Sequence, residues 1–276
     1  AYDSIMRMKK ELGLEVSVSE AVPPMHLGAT LRDYAEKGFN LIWAHAYDFE
    51  EKTIRVALEY PRSYFAVSGH STSSVSNTCL FQIKKYENYY LVGLLAGALT
   101  KKNKVGLVTG DFPGRMAPPL MQAALRAIKS VNPNVETKID FVMDWEDRKK
   151  AKKSALDLIE WGADVLVQNG DGTSFGVYEA CVEKGVLVNG EWVDHYDLAP
   201  GLMYTTALIR WDPAIREALQ DIANGFVKEI YSPNLANGGL DLAWYHDFEG
   251  IIPEGVKRMV QQAKQEIIQG KIYIRG

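Results

Sequence analysis

Side chains suited to recognising a small molecule concentrate in six short polar stretches that follow apolar runs. They are "WAHAYDF" (Trp43 to Phe49), "SGHSTSS" (Ser68 to Ser74), "TGDFPG" (Thr109 to Gly114), "MDWEDR" (Met143 to Arg148), "QNGDGTS" (Gln168 to Ser174) and "NGEWVDHYD" (Asn189 to Asp197). Aromatic residues stand beside Asp in several of them. That mixture suits a flat polar ring, since aromatics stack on its faces and carboxylates accept its N–H or hydroxyl protons. Each residue also has a structural role to weigh. Trp145 could pack a core or rim, and Tyr47 and Phe49 could pack the domain. Asp147 stands where it would cap the following helix, and Asp171 fits plain turn chemistry. Glu87 at a helix start complements the dipole.

Enzymatic constellations are missing. The sequence has no GxSxG, no GxxxxGK[ST], no GxGxxG and no HExxH. His45, His70 and His195 are scattered, and neither Cys79 nor Cys181 lies in a CxxC, so no metal, cofactor or catalytic residue is expected and two packed free thiols are. "VLVQNGDGTS" admits a hairpin turn, a phosphate loop or a strand-end ligand loop. A helical pattern follows it and the phosphate-loop lysine is absent, which leaves the strand-end loop.

Positioning these stretches requires a parallel sheet. Apolar strands and amphipathic helices alternate along the chain, from "YDSIMRMKKELG" and a short strand "LEVSVSE" to the last helix "PEGVKRMVQQAKQEIIQG". Strand, helix, strand with short loops makes right-handed βαβ units, whose ligand loops lie at the carboxyl ends of the strands. The lysine-rich "TKKNK" reads as a first crossing between two α/β lobes, with further crossings near "ALIRWDP" and "NLANGG". The expected division is residues 1–100 with 209–235, and 101–208 with 236–276, enclosing a hinged cleft.

Composition agrees with this class. The 276 residues are 47% hydrophobic and 24% charged, the globular range, and the net charge of -4 with no basic stripe argues against a nucleic-acid partner. "LVGLLAGALT" is the longest apolar run and falls well short of the roughly 20 residues of a membrane span. The chain opens on charged residues rather than a signal peptide, and a secreted protein freed of its leader would read the same.

Several segments taken together resemble the basic membrane protein family, the purine nucleoside or nucleobase binding lipoproteins of ABC importers. They are "LIWAHAYDFEEKTIRVALEYPRSYFAV", "YENYYLVGLLAGALTKKNKVGLVTG", "DWEDRKKAKKSALDLIEWGADVLVQNGDGTSFGVYEACVEKGV", "LAPGLMYTTALIRWD" and the tail "PEGVKRMVQQAKQEIIQGKI". The resemblance covers nearly the whole chain. It implies a type I periplasmic-binding-protein fold, with two doubly wound parallel-sheet lobes. It also implies an extracytoplasmic location, a small purine ligand and an ABC permease as membrane partner; a monomer is expected. Carried over residue by residue, it implies ligand contacts from Tyr47, Phe49, Tyr86, Glu87, Trp145 (as the stacking residue), Asn169, Asp171, Trp192 and Asp194. Asn88 replaces the family's Gly, Trp192 is bulkier than the family norm, and the family's opening strand and loop do not precede Ala1. Two alternatives stand beside import: a ligand-sensing domain that feeds a regulator or receptor, and a nucleoside-processing enzyme. The enzyme would need convergent carboxylates, which Asp144, Glu146 and Asp147 do not supply.

Overall fold

The computed structural model describes residues 1–46, 49–69, 75–113, 117–243 and 245–274. From the N terminus, α1 (Tyr2–Leu12) and α2 (Leu27–Glu36) precede β1 (Leu41–Ala44), α3 (Glu50–Glu59), β2 (Tyr64–Val67) and β3 (Thr78–Phe81). Next come α4 (Tyr86–Leu99), β4 (Lys104–Thr109), α5 (Ala117–Val131), β5 (Glu136–Phe141), α6 (Arg148–Glu160) and β6 (Val165–Asn169). They are followed by α7 (Gly172–Lys184), β7 (Leu187–Trp192) and β8 (Met203–Ile209), and then α8 (Asp212–Ala223), β9 (Ile230–Tyr231), β10 (Leu240–Leu242) and α9 (Glu254–Ile268). No helix among the described residues is long and apolar enough to cross a membrane.

Internal contacts divide the chain into Ala1–Lys84 with Arg210–Gly239, and Lys85–Ile209 with Leu240–Gly276. The first crossing lies elsewhere than at "TKKNK". It precedes α4 instead of following it, so this helix belongs to the second unit. The cause is packing. Leu91, Val92, Leu94, Leu95 and Ala96 of α4 are all buried, and a helix that is apolar all round needs cover on every side. Gly93 and Gly97 let it lie directly on α5: a Cβ at Gly93 would run into the Ala124 carbonyl oxygen, and one at Gly97 would come 2.8 Å from that of Ile128. The polar "TKKNK" is a turn within the second unit.

In the first unit the four strands run parallel in the order β1-β2-β3-β9. Alternate side chains point to opposite faces. Phe65, Val67 and Leu80 meet Leu27, Leu31 and Val56 of α2 and α3, whereas Ala66, Cys79 and Phe81 meet Met8 of α1 and Trp211, Ala214 and Ala218 at α8. Arg7 ties α1 to α8 by a bidentate pair with Asp212, at 2.7 and 2.8 Å, and Ser4 Oγ donates to the same carboxylate. The strand expected at 14–20 does not form. Alternation alone makes no strand without a ladder partner, and Val18 is left exposed. Three strands form beyond those expected, β3, β9 and β10, of which the last two, with two and three residues, are too short for periodicity to reveal.

The second unit holds a six-stranded sheet ordered β10-β8-β7-β6-β4-β5, in which β10 alone runs antiparallel. Helices α6 and α7 pack on β4 to β7, and α4 packs against β6, β8 and β10. Every residue of central β6 is accordingly buried. Cys79 and Cys181 are free, buried thiols, one in each unit. Burial pushes the Cys79 thiol up to about 12 and Cys181 also well up.

Two stability outcomes follow from this packing. Gly93→Val forces α4 off α5 and costs about 1–3 kcal/mol, read as a lower melting temperature by circular dichroism. Asp212 titrates below the ordinary carboxylate range: burial pushes it up, but hydrogen bonds from Arg7 and Ser4 outweigh burial. Its contribution is therefore complete above the unfolded value, about pH 4, and lost as pH falls through the folded one. Asp212→Asn lowers the melting temperature at neutral pH, and the gap to wild type closes in acid.

Candidate ligand-binding site

Parallel strands of the second unit end together. Thr109 of β4 lies in register with Phe141 of β5 and Asn169 of β6, so the loops after all three emerge at one end of the sheet. A buried polar network braces that end. The β6–β7 ladder stops at Leu166↔Val188, and the Asn189 side chain then takes over: its Oδ1 accepts the Gln168 N–H at 2.8 Å and its Nδ2 donates to the Gln168 carbonyl at 3.1 Å. Gln168 Nε2 donates to Tyr178 Oη at 3.0 Å, Ser174 Oγ donates to Gln168 Oε1 at 2.9 Å, and Tyr89 Oη donates to the Gln168 carbonyl at 2.6 Å. A network satisfied in this way rigidifies the loops it carries.

The electrostatic centre is Glu191, whose side chain has no exposed surface. Its Oε1 lies 2.6 Å from Lys85 Nζ and its Oε2 accepts the Gly170 N–H at 3.0 Å. Burial pushes this carboxyl above its ordinary value, and Lys85 pulls it back down. The same ammonium lies 3.3 Å from Asn169 Oδ1 and 4.0 Å from the centre of the Trp192 ring. Trp192 itself sits in the left-handed region at φ 71°, a conformation of about 1–3 kcal/mol that persists only where neighbours enforce it. Its indole N–H is buried without a hydrogen-bond partner among the described residues.

The sequence-predicted residues divide by what holds them. Asn169 is buried, with Nδ2 donating to Thr109 Oγ1 at 3.1 Å. Asp171 is exposed at the start of α7 and makes no capping hydrogen bond to it. Trp145, half-buried, packs its ring on Gly110, where a Cβ would come 2.7 Å from its Cε3, and its carbonyl accepts the Thr173 N–H at 3.0 Å. Beside it, Asp144 accepts two backbone N–H bonds from Glu146 and Asp147, which hold its carboxyl low. Asp147 is a helix cap, accepting the Lys150 N–H at 2.9 Å. Tyr86 and Glu87 occupy the first turn of α4, and the preceding Lys85 anchors that turn to the ends of β6 and β7. Asp194 is engaged elsewhere: its Oδ2 lies 2.7 Å from His246 Nε2, and Tyr196 stacks on the His246 ring at 4.0 Å. Phe49 belongs to the first unit, where it packs on the cluster around Leu27, Val56 and Phe65. Tyr47 lies outside the described residues.

Sequence reasoning passed over Lys85, Gln168, Asn189 and Glu191. The signal was present in "VLVQN" and "VLVNGEW": polar residues inside strands covered on both faces need partners. In the first unit it also passed over an aromatic cluster at the strand ends, with Trp43 4.8 Å from Phe81 and 4.9 Å from Trp211 between ring centres.

The family model described as ABC transporter substrate-binding protein PnrA-like matches residues 1–268. A purine-binding protein of Brucella abortus (strain 2308) is 23% identical over 252 residues, covering 88% of this chain and 67% of that protein. Among solved structures, an ABC transporter system solute-binding protein from Conexibacter woesei DSM 14684 superposes with a TM-score of 0.80 at 23% identity, over 100% of this chain and 93% of that one. A transcriptional activator of the comK gene from Bacillus halodurans superposes with a TM-score of 0.86 at 21% identity, over 99% and 94%. The two parallel α/β sheets and these likenesses make the fold that of the type I periplasmic solute-binding proteins.

Asn189→Leu removes the acceptor of the Gln168 N–H while keeping volume, and orphaning one buried donor costs about 1–3 kcal/mol. Chemical denaturation should show this loss, and amide exchange should show faster opening at Gln168 than elsewhere in β6.

Proposed function

Because the chain belongs to the PnrA-like family of ABC transporter substrate-binding proteins, we propose that it is the extracytoplasmic binding component of an importer for a purine nucleobase or nucleoside. The observation that carries this reading is one end of the second unit's sheet, where Trp145 and Trp192 stand with Asp171 around a braced loop. A purine offers flat faces and N–H donors at its edge. Indole rings meet the faces, each contact contributing roughly 1 kcal/mol. Asp171, exposed and not used as a cap, accepts an edge donor or a ribose hydroxyl, and such a charge-assisted hydrogen bond contributes about 1.5–3 kcal/mol. Asn169 is the less available partner, since its carboxamide is engaged by Thr109 and Lys85. The purine-binding relative from Brucella supports the same ligand class. The family is one of binding proteins, and the site is read as holding and releasing its ligand without chemistry.

The fold alone does not separate import from sensing, because the Bacillus halodurans activator has it too. Family membership favours import, and uptake of labelled purine by cells with and without the gene distinguishes the two.

Calorimetry against adenine, adenosine, guanosine and inosine tests the ligand class. At least one should bind with a dissociation constant of about 1 μM or tighter, near −8 kcal/mol; heat from none of them overturns the purine reading. Trp145→Ala should weaken that binding about fivefold, the loss of roughly one stacking contact. Asp171→Ala should weaken it by about 10- to 150-fold, the loss of one charge-assisted hydrogen bond, while leaving the melting temperature unchanged.

A further inference from the structure

Three pieces of the candidate site have no covalent reason to stay in register: the start of α4, the loop after β6 and the end of β7. One ammonium links all three: it stands before α4, meets Asn169 at the end of β6 and Glu191 and Trp192 at the end of β7, and reaches the loop through the Glu191–Gly170 bond. We propose that Lys85 is the positioning residue of this site, holding the Asn169–Asp171 loop and the Trp192 ring against the start of α4 by compensating the buried Glu191 carboxylate. The proposal deepens the ligand-binding reading and rests on it for the ligand, but not for the geometry.

The contacts divide the work. Lys85 Nζ neutralises Glu191 at 2.6 Å, and the other carboxylate oxygen holds the Gly170 N–H at 3.0 Å. A charged acceptor makes that backbone bond about twice as strong as a neutral one would, so the loop's position depends on the ammonium one step away. Asn169 is held at both ends of its carboxamide, Nδ2 to Thr109 Oγ1 and Oδ1 to Lys85 Nζ, which fixes its flip. Over Trp192 the ammonium lies 4.0 Å from the ring centre. It occupies one indole face by a cation–π contact.

Removing the ammonium has a defined electrostatic consequence. The charged or titratable groups facing Glu191 are Lys85 and Tyr89 from α4, Tyr178 from α7 and Asp171 at the start of α7. Of these Lys85 alone carries the opposite charge. Burial already raises Glu191 above its ordinary value, and without Lys85 it keeps its proton to still higher pH. Folded protein then binds more protons than unfolded, and stability falls as pH rises.

The test compares wild type with Lys85→Met, Lys85→Arg and the double variant Lys85→Met with Glu191→Gln, without ligand and then with adenine and inosine as probes. In Lys85→Met, the stability deficit against wild type should widen from about pH 5 to about pH 8, and Gly170 amide exchange should speed up by about tenfold or more. Lys85→Arg should restore both. The double variant, with no charge left to compensate, should fold with a pH profile free of the widening deficit. Whichever probe wild type binds should bind Lys85→Met about tenfold more weakly, the cost of a misplaced loop. Unchanged Gly170 exchange and a parallel pH profile in Lys85→Met would overturn the proposal, as would an arginine variant as impaired as the methionine one. Equal probe affinity in wild type and Lys85→Met would overturn the link to ligand while the purine reading stood. If wild type binds neither probe, the purine reading is what fails, and the ligand-free measurements still decide the role of Lys85.

Discussion

A carboxylate with no exposed surface, Glu191, sits at the end of β7, and the candidate site is built around the ammonium that compensates it. Removing one member of such a buried pair costs about 3–5 kcal/mol, because the remaining charge is left uncompensated. Lys85 supplies the compensation from the start of α4, and Glu191 transmits it to the loop after β6 through the Gly170 N–H. Beneath this pair, the exchange of hydrogen bonds between Gln168 and Asn189 closes the gap where the β6–β7 ladder stops. Polar groups buried this deeply are costly unless each finds a partner. The structure accepts that cost at the end of the sheet that carries the candidate site.

The same logic explains why α4 belongs to the second unit. Its glycines place it against the backbone of α5, and that close approach fixes where its first turn stands. Lys85, Tyr86 and Glu87 therefore arrive at the ends of β6 and β7 as a consequence of helix packing some two turns away. Packing, charge compensation and loop placement are one linked set of interactions within this unit.

Much of this was legible in the residues. The helices and the longer strands follow apolar periodicity, and "QNGDGTS" was recognisable as a strand-end loop because a helical pattern follows it. Trp145 and Asp171 stand at such ends as expected. The boundary before α4 was not legible, because no change in composition marks it, while the lysine-rich turn after the helix imitates one. Phe49 packs a core and Asp147 caps a helix, the structural roles that the sequence offered for both. The Lys85–Glu191 pair joins residues far apart in the chain, and neither "IKKYEN" nor "NGEWVD" announces the other. Only the parallel topology, which brings the start of α4 to the ends of β6 and β7, makes them neighbours.

Membership in the PnrA-like family places the chain among ABC transporter substrate-binding proteins, and a purine is the substrate proposed for it. The most direct measurement is native mass spectrometry of the protein after incubation with an equimolar mixture of purine bases, purine nucleosides and simple sugars. The account predicts a single stoichiometric adduct with the mass of one purine base or nucleoside. A sugar adduct, or a spectrum with no purine bound at any concentration of the mixture, would contradict it.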